Sequence, residues 1–455
     1  MKSNPWCDCF RFLWSDQELD DLTKIPAKPV TLGERSADFD AAVLLSAMKR
    51  IFTPSAQIRD LIRKIVALGD SYASLNYADQ NWILRVINDP DARADEPPPT
   101  TCLTGLAGCG KSALLAALKR LFDQVVPASL PGLHGIELRR CWFLSLKNGS
   151  SMRNLLGPNL GRKSEHHPGQ SGGLSSVGQN RANMPRDNGD LLGLARRVTW
   201  RDGVCMIFGD EFQFTNQGDA NARVTKILLQ LRGIGPPFLY CCNYSLGHLL
   251  KRRRQEDRDR LLTQPLFLEP EQVSTLDWKN YLRELKKTAP KGFTFNVDEV
   301  EVEIHQLTFG IRRAVIALLV GAYEIARRRG KHPEVGMLDI RKAYKSAKYT
   351  VHREDIEILF KQQITGRKVR EDLWCPFDRR LEPNAIAAST AAIEKNQRDI
   401  EEEILNQYDT KEVRSKAPRK VNTTPQNLGK NVVRFRGTKS LKQELLDGAD
   451  EFDAL

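Results

Sequence analysis

Apolar residues recur at helical spacing from residue 41 to 88, with Ile58, Leu61, Ile62, Ile65 and Val66 on one face, and predict a helical opening segment. A stretch rich in proline, aspartate and glutamate follows at 90–99 and reads as a surface linker. The period then changes. Short apolar runs at Thr101–Thr104, Cys141–Leu146, Val204–Phe208, Phe238–Cys242 and Leu266–Leu268 predict strands. Helical stretches separate them, the first carrying Leu114, Leu115, Leu118, Leu121 and Phe122 on one face. Strands alternating with helices predict an α/β fold, a parallel sheet sandwiched by helices. After Pro270 the signals are all helical, at Asp277–Lys287, Val300–Leu307, Arg312–Arg328 and Leu338–Tyr349. Between 149 and 190 the chain is dense in Gly, Ser, Asn and Pro, so part of it reads as a mobile surface loop inserted in the sheet domain.

These shifts divide the 455 residues into five parts. A mostly helical segment with its linker occupies 1–95, the α/β domain 96–275 and a small helical domain 276–370. A polar, basic linker spans 371–442, and 443–455 is an acidic and apolar tip, together a flexible tail. Lysine and arginine outnumber aspartate and glutamate by 69 to 57, a net +12 that makes a polyanion the default partner. Hydrophobic residues make up 41% of the chain, enough to fill ordinary cores, which excludes a wholly disordered protein. The nine cysteines show a close pair, Cys7 and Cys9, an adjacent pair, Cys241 and Cys242, and no metal-binding spacing, as expected in a reducing cytoplasm. The longest apolar run, Ala314 to Tyr323, is too short to span a bilayer and predicts a packed helix. Asp8, Arg11 and Asp16 interrupt the region where a signal peptide needs a continuous apolar stretch.

The sharpest motif is Gly105-Leu-Ala-Gly108-Cys109-Gly110-Lys111-Ser112, set between a predicted strand and a predicted helix. Glycines let backbone N–H groups curl around phosphates at the positive end of the helix, where Cys109 and Ala113 complete the loop. Lys111 reaches the β and γ oxygens and Ser112 ligates magnesium, so ATP and Mg2+ are the expected cofactors. The strand from Val204 to Phe208, followed by Gly209, Asp210 and Glu211, supplies the acidic partner motif. Asp210 is expected to hold magnesium through water and Glu211 to polarise the attacking water. Gly209 leaves the strand geometry at that point open.

Together with the small helical domain these motifs resemble the AAA+ P-loop ATPases. That resemblance implies a lid after the sheet and three further positions. Asn243, at the tip of Phe238–Cys242, matches the amide that orients water near the γ-phosphate, or else serves as a turn residue. Arg258 and Arg260, in the basic stretch 251–260, match the arginine that reaches a neighbouring subunit's γ-phosphate, or else sit on a solvated helix of acid–base pairs. Arg312 or Arg313, opening the helix after Gly310, matches the lid arginine that touches phosphates in the same subunit.

Within that class, Asn243-Tyr-Ser-Leu-Gly-His-Leu-Leu followed by Arg258-Asp-Arg260-Leu is similar to the TnsC/TniB class of transposition regulators, relatives of MuB, over roughly residues 53–349. The resemblance implies a bacterial, cytoplasmic, DNA-associated ATPase that assembles as homo-oligomeric rings or filaments on double-stranded DNA. It further implies recruitment of a transposase, a target-selection protein as a partner, and disassembly on hydrolysis, with no membrane involved. Its DNA contacts map onto Lys147, Ser150, Ser151 and Arg153, where the other reading is a serine-capped helix start with a solvent-facing arginine. Leu445, Leu446, Phe452 and Leu455 match a terminal segment that docks on transposase, beside the reading of a solubilising tail. A replication initiator or helicase loader and a signalling or scaffold NTPase remain alternatives.

Overall fold

Side-chain alternation along the strands decides how the centre of the molecule is layered. The computed structural model of the chain describes residues 4–89, 97–130, 133–145, 151–160, 185–210, 218–331 and 333–377. Seven strands occur there: β1 (Thr101–Thr104), β2 (Val126–Leu130), β3 (Leu133–Leu138), β4 (Cys141–Ser145), β5 (Met206–Asp210), β6 (Phe238–Cys242) and β7 (Gln264–Phe267). Five of them form a sheet in the order β4-β5-β6-β1-β7, every neighbouring pair parallel. On β6, Leu239 and Cys241 enter one core while Phe238, Tyr240 and Cys242 enter another. Leu103 and Cys102 divide in the same way on β1, as do Phe208 and Ile207 on β5. A sheet apolar on both faces must be covered on both, and helices do so.

The first face shares one core with α1 (Pro5–Asp8), α2 (Asp16–Thr23), α3 (Ala37–Arg50), α4 (Ala56–Asn76), α5 (Gln80–Asn88) and α6 (Lys111–Phe122), a core that continues into the helices beyond the sheet. Ser15 and Glu18 form a reciprocal capping box that starts α2. Ile58, Leu61, Ile62, Ile65 and Val66 are all buried on α4, the face read from the sequence. The second face is covered by α7 (Met152–Leu160), α8 (Asn188–Arg201), α9 (Gly218–Arg232), α10 (Tyr244–Lys251) and α11 (Gln255–Leu261). Thus part of the glycine- and serine-rich stretch 149–190 is helical: Met152, Leu155, Leu156 and Leu160 recur at helical spacing and are buried. Residues 161–184 lie outside the described residues.

The helical domain comprises α12 (Leu276–Lys287), α13 (Val297–Thr308), α14 (Arg312–Arg329), α15 (Met337–Lys345) and α16 (Thr350–Thr365). A parallel P-loop sheet between helix layers, followed by a helical lid, is the arrangement expected of an AAA+ module. Two differences from the sequence reading stand out. The expected helix Leu338–Tyr349 breaks at Ser346, whose extended backbone precedes a 3-10 turn, Ala347–Tyr349, and α16. Tyr349 is buried there, its hydroxyl donating to Leu307 O at 3.0 Å, so tertiary packing overrides helical propensity. The hairpin β2–β3 has no counterpart in the sequence reading, because Pro127 and Gly135 obscure any alternation, yet Ala128, Ile136 and Leu138 are buried. No helix among the described residues is long and apolar enough to cross a membrane.

One buried cation joins the three regions. Arg312, 9% exposed at its side chain, pairs with Glu271 at 2.5 Å and donates to Thr53 O at 2.8 Å. Its guanidinium lies 4.9 Å from the Tyr281 ring centroid. Thr53 precedes α4, Glu271 follows β7, and Arg312 opens the first turn of α14, so the node ties the opening segment and the lid to the sheet domain. Removing one member leaves an uncompensated buried charge. Arg312→Ala should therefore lower stability by about 3–5 kcal/mol in urea unfolding followed by tryptophan fluorescence; a loss below about 1 kcal/mol would mean that the pair is solvated in solution.

Candidate functional site

The loop 105–110 owes its course to close approaches that only glycine permits. A Cβ on Gly105 would stand 2.2 Å from Leu268 O, whose residue extends the β1–β7 pairing through Leu268 N and Thr104 O at 2.8 Å. Gly108 has φ 92°, and a Cβ there would meet the Arg313 Cβ at 2.8 Å. Gly110, φ 112°, is the N-cap of α6. Positive φ at these two positions turns the loop back over the helix start, so the first amides of α6 face the concavity, as an anion site requires.

Lys111 is buried, 7% exposed, and its ammonium donates to Gly105 O at 2.7 Å and Leu106 O at 2.9 Å. Burial pushes its pKa below the usual lysine range. A buried ammonium satisfied by neutral carbonyls alone is well matched to phosphate oxygens, which add charge to the same geometry. Cys109 is buried in the loop, and burial pushes its thiol up to about 12, which keeps it protonated at neutral pH.

Ser112 Oγ lies 3.2 Å from Asp210 Oδ1. The hydroxyl and the carboxylate that magnesium needs thus meet across the tips of α6 and β5. β5 does not stop at Phe208 but continues through Gly209, which pairs with Leu144 on one side and Tyr240 on the other. A ladder on both sides holds the glycine extended and carries Asp210 to the strand tip. Glu211 lies outside the described residues. The donor set Ser112, Asp210 and Lys111, with the glycine-shaped cradle, fits a magnesium-bound triphosphate.

Asn243 occupies the N-cap of α10, yet its side chain makes no capping hydrogen bond. Its residue instead lines a cavity with Leu106, Ala107 and Arg313. The two lid arginines take different places. Arg312 is engaged by Glu271 and Thr53, whereas Arg313 lines the cavity and its backbone N–H donates to Gly108 O at 3.2 Å. His352 of α16 lines the same cavity, and burial, with Arg313 acting in the same direction, holds its pKa low against the opposing Asp355.

Farther out, the basic stretch separates into paired and unpaired members. Arg252 bonds Glu371 and Arg253 pairs with Asp257 at 3.2 Å. Arg258 and Arg260 are exposed on α11, with no side-chain partner among the described residues. Ser151 caps α7, its Oγ accepting from Asn154 N at 3.2 Å, and Arg153 is half-buried in the first turn. Lys147 and Ser150 lie outside the described residues, as do Leu445, Leu446, Phe452 and Leu455.

Several wall residues carried no signal in the sequence. His352, Asp355, Arg370 and Asp372 line the cavity but come from α16 and the chain after it, remote from every motif. Thr53 Oγ1 and Ser55 Oγ are buried without a hydrogen-bond partner among the described residues, beside the carbonyl that Arg312 binds. Their location shows only once the opening segment is folded against the lid.

No protein-family model matches the chain, and no curated protein does either. Among solved structures, it is similar to a chain from the structural basis of katanin self-assembly, at 14% identity over 61% of this chain and 86% of that one, with a TM-score of 0.33. It is also similar to the Aeropyrum pernix ORC1 protein in complex with DNA, at 19% identity over 63% of this chain and 71% of that one, with a TM-score of 0.34. Likeness at these scores assigns no function.

The two lid arginines should separate in solution. Arg313→Ala keeps the Cβ and the N–H that touch Gly108, so its thermal midpoint should stay close to that of the wild type. Its affinity for a non-hydrolysable ATP analogue, measured by calorimetry, should fall about tenfold, the scale of one lost charge-assisted hydrogen bond. Unchanged affinity would remove Arg313 from the site.

Proposed function

We propose that this chain is an ATP-hydrolysing AAA+ regulator of DNA transposition that oligomerises on duplex DNA. The observation that carries the nucleotide part is the contact of Ser112 with Asp210 beside the buried Lys111, at the end of a glycine-shaped loop. In this reading Lys111 and the first amides of α6 bind the phosphates, and Ser112 and Asp210 hold magnesium. Magnesium, when bound, neutralises charge on the β and γ oxygens. Glu211 orients the attacking water, with Asn243 positioned to assist from the tip of β6. Arg313 contacts phosphate within the subunit.

Support for assembly comes from Arg258 and Arg260, exposed on a short helix beyond β6, where a guanidinium can reach a neighbouring copy's phosphates. Support for a nucleic-acid partner comes from the net charge of +12. Lys147, Ser150, Ser151 and Arg153 are proposed as phosphate-backbone contacts, of which Ser151 also caps α7. The transposase and target-selection partners rest on the sequence resemblance across Asn243–Leu250 and Arg258–Leu261. The tip 443–455 is proposed as the transposase-docking segment.

Negative-stain imaging of the full chain with duplex DNA tests the assembly directly. Rings or filaments should form with a non-hydrolysable ATP analogue, thin out as salt rises, and be absent without nucleotide. Lys111→Ala should abolish them, whereas Glu211→Gln should retain them with ATP itself, since hydrolysis no longer releases the assembly. Single particles that ignore DNA under every condition would exclude this function in favour of a signalling NTPase. Truncation before Gln443 should leave ATPase and DNA binding intact and uncouple transposase; transposition at the full rate would remove the docking role of the tip.

A further inference from the structure

The chain after α16 returns to the mouth of the site. Gly366 ends the helix in the left-handed region, φ 61°, and the next residues lead back to a 3-10 turn, Glu371–Leu373. The buried Gln362 holds this return: its Oε1 accepts from Val369 N at 3.0 Å and Arg370 N at 2.8 Å, and its Nε2 donates to Leu373 O at 3.1 Å. The far end is anchored on α10 and β7. A ring nitrogen of His248 lies 2.8 Å from Trp374 O, Arg252 pairs with Glu371, and Phe377 packs edge-on against Phe267.

Between these anchors Arg370 lies in the wall of the cavity that also holds Ala107, Asn243 and Arg313. The volume is about 120 Å³, well below the ~300 Å³ of small-molecule sites, so it has room for a phosphate group and not for a whole nucleotide. Arg370 bridges two carboxylates of the same wall, Asp355 at 2.6 Å and Asp372 at 2.7 and 3.0 Å. Two carboxylates are out of place beside a loop built for phosphate, unless the cation between them exchanges one anion for another. The pairs are partly solvated, the Arg370 side chain being 39% exposed, and water screens the attraction that holds them. The same guanidinium fork that meets Asp372 at two oxygens can meet a phosphate in the same bidentate way, and a terminal phosphate carries more negative charge than a carboxylate.

We propose that Arg370 is a further phosphate-binding residue of the nucleotide site, one that exchanges Asp355 and Asp372 for oxygens of the terminal phosphate. The proposal rests on the reading of the 105–112 loop as a triphosphate site.

The test is titration of the full-length protein with labelled ADP and with a labelled non-hydrolysable ATP analogue, comparing wild type, Arg370→Ala and Asp372→Asn. Arg370→Ala should weaken the triphosphate roughly tenfold and ADP less than about twofold, and Asp372→Asn should tighten the triphosphate because a competing anion is gone. A purely structural role for the segment would weaken both nucleotides equally in Arg370→Ala and leave Asp372→Asn unchanged, and that result overturns the proposal. Should Arg370→Ala fail to fold, the Asp372→Asn titration decides alone: tightening selective for the triphosphate supports the exchange, and no change removes it. If the wild type binds neither nucleotide, the triphosphate reading itself fails and the proposal falls with it.

Discussion

The buried guanidinium of Arg312 is the fixed point around which the candidate site is organised. A charge so far from water must be satisfied completely, and its partners come from separate parts of the chain: Glu271, Thr53 and the face of Tyr281. Satisfying it draws the lid helix α14 against the loop, where Arg312 Cδ comes within 3.7 Å of where a Gly110 Cβ would stand. The neighbouring Arg313 is thereby presented to the cavity. One arginine locates the lid and the next is left for chemistry, a division that adjacent residues on a helix make naturally because they point about 100° apart.

The glycines of the loop follow from the same crowding. Gly105 passes the Leu268 carbonyl and Gly108 passes the Arg313 side chain, at distances no other residue tolerates. The loop is therefore pressed between β7 and the lid as well as shaped for phosphate. Any movement of α14 relative to the sheet must be felt at Gly108, since Arg313 N bonds its carbonyl. The lid and the loop are thus joined directly, by this bond and by the packing of Arg313 on Gly108.

The opening segment contributes more than a preamble to the sheet. Asp40 of α3, 3% exposed at its side chain, pairs with Arg327 of α14 at 2.8 Å, and α4 contributes seven residues to the core shared with the lid. The opening helices thus brace the lid through α14, and the chain after α16 is bonded to it through Gln362 and Asp355. The cavity wall receives polar side chains from the start of α10, from α14, from α16 and from the returning segment, beside Leu106 and Ala107 of the loop.

What the sequence by itself determined is local chemistry and periodicity. The β1 and β6 bounds, the apolar face of α4, the phosphate loop and the acid Asp210 were all legible, because short apolar runs, helical spacing and glycine-lysine patterns are set by neighbours in the chain. Only the tertiary structure separated Arg312 from Arg313, which are chemically identical and adjacent, since the difference lies in Glu271 and Thr53, 41 and 259 residues away along the chain from Arg312. It alone ended the expected helix at Ser346, carried β5 through Gly209 and built the hairpin β2–β3, since packing and ladder bonds outweigh local propensity there. The part of the cavity wall formed by His352, Asp355, Arg370 and Asp372 was illegible for the same reason: its members share no period and no motif, and only the fold brings them to the same cavity as Asn243 and Arg313.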